Sequence, residues 1–162
     1  MSANNDSGVR PCRASRSGAA ATLCVVLAGM WSAPSASAEP APDLQDAVAS
    51  LRSDAPCKPL RYDPIVEQAA EVINRLTDDY VNHTARQEPI SDPVPGLKDL
   101  GYHGNKGTTL QGAAKNDADA IKGMLLEGSA AIPDCSYTDF GISLRRNETT
   151  GYTFTSLVLA GP

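Results

Sequence analysis

The stretch DFGISLRRNETTGYTFTSLVLA, Asp139 to Ala160, decides the fold. Phe140, Ile142 and Leu144 alternate with Gly141, Ser143 and Arg145, the period-2 signature of a strand with one buried face. Asn147-Glu148-Thr149-Thr150-Gly151 is turn chemistry, and Tyr152 to Ala160, rich in Thr, Val and aromatics, returns as a second strand. The stretch predicts a C-terminal antiparallel hairpin. Whatever precedes it must cover its apolar side.

The segments upstream are helical. Asp63 is a natural N-cap and Pro64 suits the first helical position. Ile65, Ala69, Val72, Ile73, Leu76 and Tyr80 then form one apolar stripe over about four turns, expected to face inward. Before it, Leu44, Ala47, Val48 and Leu51 fall on one face of a shorter helix, with Asp43 placed to cap it and Pro56-Cys57-Lys58-Pro59 to stop it. From Arg86 to Gly107 seven prolines and glycines break any period, leaving loop with at most a short helical turn at Leu97 to Leu100. A third helix begins at Asn116 or Asp117, turns Ala120, Ile121, Met124 and Leu125 inward, and ends at Gly128. Gly123 inside it costs about 1 kcal/mol relative to Ala, which close packing against a neighbour would explain. Helices ahead of a hairpin, with few strands elsewhere, make the class α+β: helices packed on a small antiparallel sheet.

The N-terminus supplies an address. Arg10, Arg13 and Arg16 precede an apolar run from Gly18 to Met30, and a small-residue stretch ends in Ala36-Ser37-Ala38. That order describes a secretory signal peptide, residues 1–38, cut after Ala38. The run is shorter than the ~20 residues that span a bilayer, so no membrane span is expected in the mature chain. A lipid anchor on Cys24 is disfavoured, since bulky Leu23 precedes it and it lies inside the run. Residues 39–56 form a Pro-rich leader with the short helix, and residues 57–162 one domain. Export removes three arginines and one aspartate, taking the net charge from −5 to −7. An acidic domain without a basic cluster is a poor match for nucleic acid or an anionic membrane surface. The pair Arg145-Arg146 reads as solubility chemistry near the hairpin turn. Cys57 and Cys135 are the cysteines that remain, and outside the cytosol two cysteines read as one disulfide.

Pro59-Leu60-Arg61-Tyr62-Asp63-Pro64 leading into an Ala-rich helix, His83 after that helix, Leu100-Gly101-Tyr102, and Ile132-Pro133-Asp134-Cys135-Ser136-Tyr137-Thr138-Asp139-Phe140-Gly141-Ile142 occur in a familiar order. In that order the chain, from Pro59 to Ala160, resembles a divergent bacterial member of the CAP superfamily: cysteine-rich secretory proteins, antigen 5 and pathogenesis-related 1 proteins. The resemblance implies an α-β-α sandwich, and a central cleft in which two histidines and two acidic residues bind a divalent metal. His83 matches the first histidine. Gln111 stands where an acidic residue is expected, and the shortened segment Glu127 to Ile132 has no histidine. His83, Gln111 and Glu127 thus mark a candidate cleft, with no metal and no cofactor expected.

Other chemistry is sparse. His83 and His103, with Glu88, Asp92 or Glu127, form no recognised zinc spacing, and a capping histidine is the plainer expectation. There is no G-x-S-x-G elbow and no H-E-x-x-H helix. Asp78-Asp79 and Asp117/Asp119 read as solvated helix faces, and Gly104-Asn105-Lys106-Gly107 lacks phosphate-loop spacing. Asn82-His83-Thr84 and Asn147-Glu148-Thr149 match glycosylation acceptors. The expected function is that of a secreted, non-catalytic domain binding a lipid or another extracellular protein, through a groove near Leu97, Tyr102 and His103. The competing expectation is a metal-dependent or hydrolytic extracellular enzyme built around His83.

Overall fold

The computed structural model describes residues 42–162, with side chains from Leu44 onward. The signal peptide lies outside the described residues; Asp43, expected to cap the first helix, falls within its first turn, and its side chain is outside what is described. The elements run α1 (Pro42–Ser53), β1 (Arg61–Tyr62), α2 (Pro64–Val81), α3 (Val94–Asp99), β2 (Lys106–Ala114), α4 (Asp117–Glu127), β3 (Asp139–Arg146) and β4 (Thr153–Gly161). The fold is α+β, and the C-terminal hairpin is its spine.

The four strands form one sheet in the order β1-β3-β4-β2. Asp139 pairs with Ala160 and Arg146 with Thr153 across the hairpin, while β2 flanks β4 antiparallel, from Lys106 opposite Gly161 to Ala114 opposite Thr153. The sheet is mixed rather than purely antiparallel, because the two residues of β1 run parallel to β3. All nine residues of β4 are buried, so both faces of the central strand are covered.

Alternation along β4 sorts the helices into two layers. Leu157 and Leu159 join Leu44 and Val48 of α1, Met124 of α4, and Leu110, Phe140 and Ile142 in one core. Val158 and Ala160 point the other way, onto Val66, Ala69, Ala70 and Ile73 of α2 and Leu97 of α3. This is the α-β-α sandwich. Two glycines set how closely the layers approach. A Cβ on Gly141 would lie 2.0 Å from the Glu67 backbone nitrogen at the start of α2, and one on Gly112 2.0 Å from the Ala120 carbonyl oxygen of α4. A Cβ on Gly123 would meet the Gly112 Cα at 4.0 Å, an ordinary contact, so close packing does not explain the glycine inside α4.

Local chemistry explains the ends of the long helices. The Asp63 carboxylate accepts from the Ile65 and Val66 amides at 2.8 and 3.3 Å, with Pro64 at the first helical position. Asn116 does the same for Asp119, at 2.9 Å. The inward face of α2 is rotated from the expected stripe: Val66, Ala69, Ala70 and Ile73 are joined by buried Asn74 and Asp78, while Tyr80 is exposed. Leu97, expected near a groove, is a core residue at 1% exposure.

Candidate functional site

His83 occupies the turn that closes α2. Its φ is 57°, the left-handed region that side chains other than glycine and asparagine rarely adopt. The His83 amide donates to Tyr80 O at 3.0 Å and the Thr84 amide to Asp79 O at 2.9 Å. These are the two bonds of a Schellman cap, and His83 is the residue that makes the turn. Its imidazole is exposed.

Beneath that cap lies a polar network. Asp78, expected on a solvated face, is buried and accepts from Arg145 Nε at 2.8 Å and Asn147 Nδ2 at 2.6 Å. Arg145 therefore bonds the helix rather than serving solubility alone. Asn147 also donates to Asn82 Oδ1 at 3.0 Å and accepts from the Thr150 amide at 2.7 Å. The network ties the hairpin turn to the end of α2. At 1% exposure, Asn147 has no room for a glycan in the folded chain.

Gln111 and Glu127 meet at the outer edge of β2. The Gln111 amide donates to Glu127 Oε2 at 2.6 Å, while its side-chain Nε2 donates to Thr77 Oγ1 of α2 at 3.2 Å. The Gln111 side chain lines a ≈340 Å³ cavity with Asn74, Thr77, Val81 and Phe154. Asn74 is held through Nδ2 by Ser143 and the Phe154 carbonyl, and its buried Oδ1 has no partner. The structure thus brings Gln111 to Glu127 through the backbone, and places His83 in the α2 cap. Among the described residues, no three His, Cys, Asp or Glu gather where they could hold a metal ion. Of the other acids weighed as ligands, Asp92 accepts from the Val94 amide at 3.0 Å, and Glu88 is exposed.

A second polar cluster had no signature in the sequence. Asp139, 3% exposed, accepts from Arg61 Nε at 2.7 Å, Tyr102 Oη at 2.7 Å and Thr138 Oγ1 at 2.8 Å. Burial pushes the Asp139 carboxyl up, but the hydrogen bonds from Tyr102, Thr138 and Arg61 outweigh it and hold the pKa below the ordinary value. Burial, then the bond to Asp139 and its negative charge, push the Tyr102 phenol up to about 12. At neutral pH Tyr102 is a donor and Asp139 an engaged acceptor, which suits a clamp between β1, β3 and the loop before β2. His103 lies exposed on the rim of the adjoining ≈480 Å³ cavity.

The remaining fixture is the disulfide. Cys57 and Cys135 are bonded, with Cα atoms 5.2 Å apart. Beside it, Arg52 is 3% exposed and its guanidinium donates to four backbone carbonyls: Lys58 at 3.0 Å, and Ile132, Asp134 and Tyr137 at 2.8 Å each. Bond and arginine together fasten α1 and the following turn to the segment entering β3. A ≈410 Å³ pocket opens next to them, between α1 and β1, walled by Val48, Leu60, Tyr62 and Phe140.

No protein-family model matches the chain, and no curated protein sequence does. Solved structures do. An outer surface protein from Borrelia burgdorferi shares the fold at a TM-score of 0.59, over 74% of this chain and 90% of that one, with 13% identity. A cysteine-rich secretory protein from Staphylococcus aureus does so at a TM-score of 0.53, over 74% of this chain with 16% identity, and this chain spans 38% of its length. The architecture shared with that secretory protein is CAP-like.

Proposed function

We infer that this chain is an exported, non-catalytic member of the CAP superfamily that works outside the cell by binding a lipid or a protein partner. One observation carries the reading: the three candidate cleft residues take up separate structural roles and do not converge on one point. His83 forms the α2 cap, Glu127 covers the Gln111 amide, and the Gln111 side chain bonds Thr77. A metal-dependent or hydrolytic centre needs a nucleophile, base or ligand set converging on one point. The export motif before Ala38 and the disulfide support an extracellular setting. An apolar partner is favoured by the ≈620 Å³ groove between α1 and α4, walled by Leu51, Ile121, Leu125 and Leu126, the last 66% exposed. Among the described residues no helix is long and apolar enough to cross a membrane.

The test is native mass spectrometry of the secreted protein together with thermal unfolding in zinc or calcium. A ligand that binds only the folded state raises its melting temperature. The reading predicts a co-purifying lipid or a retained protein partner, and no shift with either metal. A metal-induced shift abolished in His83→Ala contradicts the reading and favours the metal-dependent alternative.

A further inference from the structure

Strand β2 is an edge of the sheet among the described residues, with a neighbour on one side only. The Gln111 amide points away from β4, since it donates to Glu127. By the period of two, the backbone groups of Gly107, Thr109 and Ala113 point outward as well. An edge of this length is normally blunted by lysine, proline or a bulge. KGTTLQGAA carries its one charge at the first position, and Lys106 is engaged by Asp134 and Ser136. The Glu127 carboxylate therefore sits where an incoming strand's carbonyl would sit, accepting at 2.6 Å from the same amide.

The two sides of this edge differ in chemistry. On the α2 side lies the ≈340 Å³ cavity walled by Thr77, Val81 and Phe154. On the α4 side lies Glu127, for which the structure provides no cation among the described residues: Lys106 is on Asp134, and Lys115 on the Thr150 carbonyl and the Tyr152 ring. Successive side chains of an added strand alternate between these two sides.

We propose that the β2 edge docks an extended, lysine-bearing segment of a partner protein, added as a fifth strand, with its alternate side chains over the cavity beside Thr77. The partner's backbone carbonyl displaces Glu127 from the Gln111 amide. The freed carboxylate pairs with the partner's lysine, while the neighbouring side chains of the added strand face the cavity on the α2 side. This is strand addition, in which main-chain bonds give affinity and alternate side chains give specificity. It rests on the binding reading only in taking recognition as the domain's task, and its test reads neither lipid nor metal.

The probe is a short synthetic peptide of alternating threonine and lysine, titrated into the secreted domain by calorimetry with amide NMR shifts as the map. Binding is expected to shift Thr109, Gln111 and Ala113, and N-methylation of alternate peptide amides should abolish it. Ala113→Pro, which removes an outward N–H and no ladder bond, should weaken binding about tenfold or more. Replacing the peptide lysines by glutamine should weaken binding to the native domain several-fold, and that preference should vanish in Glu127→Gln. No binding, equal binding of the N-methylated peptide, shifts confined to another surface, or a lysine preference that survives Glu127→Gln overturns the proposal. So does a dimer of this chain that buries the β2 edge.

Discussion

Arg52→Met removes a buried cation while keeping most of its apolar stem. The guanidinium sits at 3% exposure, makes no ion pair among the described residues, and has its charge met by four carbonyl dipoles. In the variant, the bonds to Lys58 and Asp134, which lie in partly buried surroundings, are replaced by water at small cost. Those to Ile132 and Tyr137 are buried, and each orphaned carbonyl costs about 1–3 kcal/mol. The expected loss is therefore about 4 kcal/mol, a large part of the ~5–15 kcal/mol that holds a domain together. Arg52→Lys should recover little, because one ammonium has three donors and no planar fork to span carbonyls on three sides. Urea unfolding under oxidising conditions reads the effect as a lowered midpoint at unchanged slope. A loss under about 1 kcal/mol would refute the reasoning, showing that water replaces the arginine even at the buried carbonyls.

Three further outcomes follow from the same geometry. Gly112→Ala should destabilise by about 3 kcal/mol, because its Cβ meets the Ala120 carbonyl at 2.0 Å, whereas Gly123→Ala, with 4.0 Å of clearance, should stabilise by about 1 kcal/mol in the same unfolding assay. Stability should fall as pH rises from about 10 toward 12, since the Tyr102 phenol, whose pKa is raised by folding, must ionise; Tyr102→Phe should remove that alkaline limb. The Asp139 contribution has the opposite sign: present above the ordinary carboxylate pKa, it is lost as pH falls through the depressed folded value, and Asp139→Asn should flatten that acid limb.

The parts legible in the sequence are those whose signals are local. The hairpin announces itself by alternation and a polar turn, and α2 by Asp63-Pro64, because capping and pleating act over a few residues. Strand β2 is invisible for a physical reason. Its glycines are small so that α4 and α3 can approach at Gly112 and Gly107, and the packing that demands them erases the strand's propensity signal. Asp78 reads as a solvated position because its partners Arg145 and Asn147 lie 67 and 69 residues away. Arg52 likewise reads as an ordinary cation near a helix C-terminus, until carbonyls 80 to 85 residues later fold around it. The candidate cleft was legible only as three positions. That His83 is a backbone cap, and that Glu127 reaches an amide rather than a side chain, depends on φ and on strand register, which composition does not encode.

The central claim is that the His83 backbone holds the turn closing α2, and thermal unfolding of His83→Gly addresses it directly. The left-handed conformation costs an ordinary side chain roughly 1–2 kcal/mol, partly offset by the extra freedom glycine gives the unfolded chain, so a net gain of about 0.5–1 kcal/mol is expected. That corresponds to a melting temperature higher by roughly 2–5 °C, the same with or without zinc. A lower melting temperature, or zinc stabilising the native chain but not the variant, would contradict the account.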